Sequence, residues 1–151
     1  MLEIEVRTDI AAPAERVWEL IGDPTRMGEW SPECQNVSWL GSSRQPAVGA
    51  TFRGSNRNGW RRWSTKGTIT SYEPGRAIAW DVTLVVPVAR WSYRIEGDPG
   101  ASSCTLVESF TDHRGRLMKV LGGIGRGVRD VESHNRHGME QTIARIKAGA
   151  E

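Results

Sequence analysis

Glu108 is the residue whose surroundings in this sequence point most directly to chemistry. In the strand-like segment 103–112, Leu106, Glu108 and Phe110 share one parity, so one face of the strand carries a carboxyl between two large apolar side chains. If that face is buried, the carboxyl loses hydration and its pKa rises, so that it holds or releases a proton near neutrality. A slip of register, or an arginine partner at the sheet edge, would make it an ordinary carboxylate instead. Tyr93, Asn56 and Asn135 are the other polar side chains that patterning turns inward, and with Glu108 they make up the candidate catalytic set.

The remaining reactive residue types do not assemble. His134 and His137 lie three apart on a helical stretch without Glu or Cys at ligand spacing, so no metal site is expected and both read as solvated. His113, between Asp112 and Arg114, reads as strand-end surface. Ser31 and Ser109 lack a neighbouring His/Asp pattern. Cys34 and Cys104 sit 70 residues apart in separate strand-like segments and read as buried free thiols. The glycine-rich run 122–127 follows no strand of a parallel β-α-β unit, so neither a dinucleotide nor any other cofactor is expected. Glycines cost a helix about 1 kcal/mol each, which suits a segment over 115–127 that opens and closes above a cavity.

A second chemical signal is aromatic. The chain has seven tryptophans against two tyrosines and two phenylalanines. Alternation puts Phe52 with Gly54 and Asn56; Trp63 with Thr65, Gly67 and Ile69; Trp80 with Ile78 and Val82; and Trp91 with Tyr93 and Ile95. The candidate ligand-binding set is Trp30, Phe52, Trp63, Trp80, Trp91 and Tyr93, roofed by Val128, Asn135 and Met139. The same residues packed against one another would simply be a core. Gly54 and Gly67 occupy inner strand positions without filling volume, which favours a cavity.

These side chains need elements to position them. Leu2, Ile4, Val6, Thr8 and Ile10 alternate with Glu3, Glu5, Arg7 and Asp9, as in a half-buried strand. Ala12-Pro13 opens a helix buried through Val17, Trp18, Leu20 and Ile21 and ended by Gly22. Asp23 caps a second short helix that runs to about Trp30. Strands are predicted near 34–41, 49–57, 62–73, 76–84, 89–97 and 103–112, with turns at Gly41-Ser42, Asn58-Gly59, Pro74-Gly75 and Pro99-Gly100. A short helix is expected near Leu117–Val120. Val128, Val131, Asn135, Met139, Thr142, Ile143 and Ile146 then recur at helical spacing along a final amphipathic helix. The fold class is α+β: a seven-stranded curved antiparallel sheet wrapped around one long C-terminal helix, with two short helices between strands 1 and 2. The whole chain, 1–151, reads as a single domain.

This order of elements resembles the START-like helix-grip (SRPBCC) superfamily, and within it the polyketide cyclase/dehydratase family. The residues that carry the likeness are Ala-Pro-Ala-Glu-Arg-Val-Trp (12–18), Trp30-Ser31-Pro32-Glu33, Val48-Gly49-Ala50-Thr51-Phe52, Tyr72-Glu73-Pro74-Gly75-Arg76, Trp91-Ser92-Tyr93 and His134-Asn135-Arg136-His137-Gly138-Met139. The resemblance spans nearly the whole chain and implies a ligand cavity between sheet and helix. The superfamily includes cyclases, lipid carriers and hormone receptors, so shared architecture leaves the chemistry open. Aromatase/cyclases of the family project arginines into the cavity from the middle strands. Here those inner positions carry Trp63, Thr65, Gly67, Ile78, Trp80 and Val82, while Lys66 and Arg76 fall on the other parity or at a strand start.

Composition narrows the partners. A net charge of +2, without basic tracts, argues against nucleic acid. Arg61, Arg62, Arg114, Arg116, Arg126 and Arg129 read as solvated, although together they would suit an acidic headgroup at a cavity mouth. No apolar run approaches the roughly 20 residues of a bilayer span, so stable membrane insertion is not expected. Met1-Leu2-Glu3-Ile4-Glu5-Val6 lacks the features of a secretory signal, which makes the cytoplasm the expected compartment. The leading expectation is a binder of a small apolar or aromatic, lipid-like or polyketide-like molecule. A cyclase, aromatase or dehydratase acting on such a molecule is the alternative, and a protein-interaction module the second alternative.

Overall fold

The structure is a computed structural model that describes residues 2–83, 87–113 and 131–151. The sequence expectations for Val128, the short helix near Leu117–Val120, the glycine-rich gate, and Arg114, Arg116, Arg126 and Arg129 lie outside the described residues.

The elements run β1 (Leu2–Ile10), α1 (Ala14–Ile21), a 3-10 helix (Pro24–Glu29), β2 (Cys34–Trp39), β3 (Thr51–Asn58), β4 (Arg61–Glu73), β5 (Ala77–Thr83), β6 (Pro87–Glu96), β7 (Cys104–Asp112) and α2 (Val131–Ala150). The sheet order is β1-β7-β6-β5-β4-β3-β2, with every neighbouring pair antiparallel. Strands β2 to β7 thus form a meander, and β1 returns to pair with the last strand. Gly41, Gly59, Gly75 and Gly100 each take positive φ in the expected turns, a conformation that a side chain resists.

α2 lies across β1 and α1. Asn135, Met139, Thr142, Ile143, Ile146 and Ala150 make its buried stripe, spaced as a helix presents one face. Its C-terminal end is tied to the end of β1. Lys147 Nζ donates to the Asp9 carbonyl at 2.7 Å, and the Ala11 N–H donates to Glu151 Oε2 at 2.8 Å.

Two local expectations are met, the first of them for a reason the sequence did not show. Gly22 ends α1 with φ −73° rather than in the left-handed region. Its role is close approach: an added Cβ would sit 2.5 Å from Cε2 of Trp18. Asp23 does cap the next turn, accepting from the Thr25 N–H at 2.9 Å and the Thr25 hydroxyl at 2.7 Å.

The alternation along the strands is the observed one, interrupted by bulges. Phe52 faces Gly67 across the β3–β4 ladder. The Phe52 ring covers that glycine so closely that an added Cβ would lie 2.2 Å from Phe52 Cζ. A bulge between Ile69 and Ser71 resets the parity of β4, so Tyr72 joins the core side and meets Trp18 at 5.7 Å between ring centroids.

Gly67→Ala is therefore expected to destabilise the protein by about 1–3 kcal/mol, the usual cost of overpacking. Thermal unfolding reads this as a lowered Tm. An unchanged Tm would mean that the Phe52 ring moves aside freely.

Candidate ligand-binding pocket

Between the concave face of the sheet and the N-terminal half of α2 lies a pocket of about 450 Å³. Its floor comes from β3 to β7 through Phe52, Trp63, Trp80, Trp91, Tyr93 and Glu108. Trp30, just after the 3-10 helix, closes one side, while Asn135 and Met139 of α2 lie above. Apart from Val128, every residue of the expected ligand-binding set borders this space, as does the whole candidate catalytic set.

The aromatic side chains brace one another. Phe52 meets Trp80 edge-on at 5.9 Å between centroids. Trp80 stacks on Tyr93 at 5.7 Å with 28° between planes, and Tyr93 and Trp30 make a T-shaped contact at 5.4 Å. Such offset and edge-to-face arrangements suit the ring quadrupoles. Trp30 spends its only donor outside the pocket, on the Leu20 carbonyl at 3.1 Å, and so offers the pocket only apolar surface.

Glu108 is 1% exposed. It stands opposite Tyr93 in the β6–β7 ladder, and the Tyr93 hydroxyl donates to Oε1 at 2.7 Å. Oε2 has no hydrogen-bond partner among the described residues. Burial pushes the Glu108 carboxyl up to about 8, against a smaller downward pull from the Tyr93 hydrogen bond. The carboxyl is therefore mostly protonated at neutral pH. Burial first, then the Glu108 charge and hydrogen bond, raise the Tyr93 phenol well above its ordinary value. Asn56 is already engaged, its Nδ2 donating to Thr65 Oγ1 at 3.3 Å and to the Gly54 carbonyl at 3.5 Å. Cys34 and Cys104 are buried free thiols, and burial lifts Cys34, which borders the pocket, to about 11.

His134 corrects the expectation of two solvated helix histidines. Its Nε2 lies 3.2 Å from Glu33 Oε2, both side chains are half-buried, and both border the pocket. These residues are 101 positions apart, so no local spacing could have paired them. His137 and His113 are exposed. Cys34 and Val37 also line the pocket although their parity differs. A bulge between Cys34 and Asn36 turns both inward, and alternation alone passed over them. Among the expected arginines, Arg61 sits over the exposed Trp60 ring, 4.4 Å from its centroid, at the β3–β4 turn. Among the described residues no three His, Cys, Asp or Glu side chains gather as a metal cluster, and no helix is long and apolar enough to cross a membrane.

A curved antiparallel sheet gripping one long helix above an aromatic pocket defines a helix-grip protein. The chain belongs to the family described as polyketide cyclase / dehydrase and lipid transport, whose model matches residues 1–151. Solved structures agree. A Chromobacterium violaceum protein is similar with a TM-score of 0.73 at 15% identity, over 100% of this chain and 99% of that one. A polyketide-cyclase-like protein of Corynebacterium glutamicum is 28% identical, with a TM-score of 0.59 over 99% and 89% of the two chains. The di-domain ARO/CYC protein BexL of the BE-7585A biosynthetic pathway is similar with a TM-score of 0.67 at 18% identity, over 99% of this chain and 50% of that one. No curated protein sequence gives a significant match.

The raised Glu108 pKa makes stability depend on pH. The group titrates near 4.5 when unperturbed and near 8 in the fold, so the fold favours its neutral form. Its contribution is complete below about pH 4.5 and is lost as the pH rises through about 8. Glu108→Gln, which cannot ionise, is expected to gain on the wild type across that window, by up to on the order of 5 kcal/mol. Urea unfolding at both ends of the window measures the difference, and parallel pH profiles for the two proteins would refute it.

Proposed function

We propose that this protein holds a small, predominantly apolar molecule, lipid-like or polyketide-like, in the space between its sheet and α2. The observation that carries this reading is the aromatic-walled pocket of about 450 Å³, a size and lining that suit a small organic ligand. Trp30, Phe52, Trp63, Trp80, Trp91, Tyr93, Asn135 and Met139 are its contact residues in this reading. Rigid rings cost little conformational entropy to order around a guest, and membership of a family described by lipid transport as well as cyclisation supports the same view.

Catalysis is a second reading, favoured by one observation: the largely neutral Glu108 carboxyl bonded to Tyr93 inside an apolar pocket. A protonated acid there would assist cyclisation or dehydration of a bound carbonyl compound, with the walls holding a flexible chain in a reactive fold. Asn56 and Asn135 are the remaining polar groups for that chemistry. Arginine does not take part from the middle strands, where Lys66 and Arg76 are exposed.

Native mass spectrometry of the purified protein, followed by extraction, tests the binding reading. An apolar adduct that quenches tryptophan fluorescence is the expected result. Gly54→Leu, which sends a side chain into the pocket beside Thr65, should abolish the adduct while the circular dichroism of the fold persists. Preparations that remain ligand-free, with no response to a panel of lipids and aromatic polyketides, would count against it. For catalysis, Glu108→Gln should still bind but cease to convert the extracted compound.

A further inference from the structure

We infer that Glu108 and Tyr93 form a hydrogen-bond-donor subsite that takes a neutral acceptor, a carbonyl oxygen of a ketone, aldehyde or ester, at the polar end of an otherwise apolar ligand. This rests on the pocket being a ligand site and names the chemistry of what enters it.

The two residues are a cross-strand pair on adjacent strands, so the ladder itself holds them together. The Tyr93 ring stacks on Trp80 and meets Trp30 in a T-shaped contact, which restricts where its hydroxyl points. That hydroxyl donates to Glu108 Oε1. In a neutral carboxyl whose Oε1 accepts from a phenol, the acid proton belongs on the other oxygen. Oε2 is that oxygen, and it is buried with no partner among the described residues. The dyad therefore leaves one unmade donor on a residue that borders the pocket. A buried donor without an acceptor is costly, and a ligand carbonyl satisfies it without bringing in charge.

The surroundings disfavour an anion. No lysine or arginine is among the described residues that line the pocket. The other titratable groups there are Cys34 on β2, whose thiol stays neutral, and the Glu33–His134 pair, which is mutually engaged. A carboxylate ligand would leave water without a free cation among the described lining residues to meet it. An aliphatic or aromatic hydrocarbon would leave the Oε2 donor unsatisfied. The carbonyl compound is the class that meets both conditions.

Three probes of one shape separate these cases: 2-acetylnaphthalene, 2-ethylnaphthalene and 2-naphthoate. Their binding is measured by equilibrium dialysis at about pH 6.5 and about pH 9.5, on either side of the Glu108 pKa of about 8. At the lower pH the wild type should bind the ketone about tenfold or more tighter than the hydrocarbon, equivalent to about 1.4 kcal/mol, and tighter than the carboxylate. At the higher pH, with Glu108 ionised, the preference for ketone over hydrocarbon should vanish. Glu108→Gln should keep it at both values, because the amide still offers an N–H where the acid offered O–H. Glu108→Met, folded by circular dichroism, should lack it at both. Equal binding of ketone and hydrocarbon by the wild type, tightest binding of the carboxylate, or a preference that survives in Glu108→Met overturns the subsite while leaving the pocket intact. Failure of all three probes to bind the wild type overturns the pocket reading itself.

Discussion

β1 and β7 are joined rung by rung, from Leu2 opposite Asp112 to Ile10 opposite Cys104, and the rest of the molecule depends on that pairing. It brings together the two ends of the sheet-forming sequence and places β1 and β2 at opposite edges of the sheet. The chain between them must therefore cross the sheet, and α1 and the 3-10 helix are the crossing. They deliver Trp30 to the concave side, where it meets Tyr93. β1 also gives α2 its seat: Asp9 and Ala11 bind the helix end through Lys147 and Glu151. The pairing closes a long loop at an entropic cost. Burial of Ile4, Val6 and Ile10 offsets it.

One helix cannot fill the concavity of a seven-stranded sheet. The C-terminal half of α2 packs closely through Ile143, Ile146 and Ala150. The N-terminal half borders the pocket instead, through His134, Asn135, Gly138 and Met139. Gly138 contributes no side chain at the place where a roof would close; an added Cβ there would first meet Pro32 at 3.7 Å. Aromatic residues then form walls that stay apart because each ring is braced by the next. Within such walls a carboxyl is an expensive choice. Apolar side chains would serve the core better, and local rules are most often broken where a protein does its work. Glu108 breaks one.

The inner face was legible because a sheet buried on one side imposes strict alternation. Phe52, Trp63, Trp80, Trp91, Tyr93 and Glu108 could be assigned to it from parity alone. That rule fails where the ladder gains a residue. The bulges at Cys34/Asn36 and Ile69/Ser71 put Val37 and Tyr72 on faces that their parity denies, since a bulge arises from how two strands meet and not from one strand's pattern. Gly22 was rightly placed as a helix end, but for the wrong reason. Its constraint is the Trp18 ring above it, not a left-handed φ.

By itself the sequence determined the described elements, their order and the sidedness of β1 and of β3 to β7 away from the bulge, because period, caps and turn residues are local properties. It also pointed the long helix to the concave face, which a curved sheet cannot bury by itself. The tertiary structure decided which residues share the enclosed space. Glu33 meets His134 across 101 positions, and Tyr93 meets Glu108 across a ladder rung. It also decided that the carboxyl there holds its proton near neutrality. Those outcomes depend on distances between segments and on exclusion of water, and neither exists until the sheet has closed around the helix.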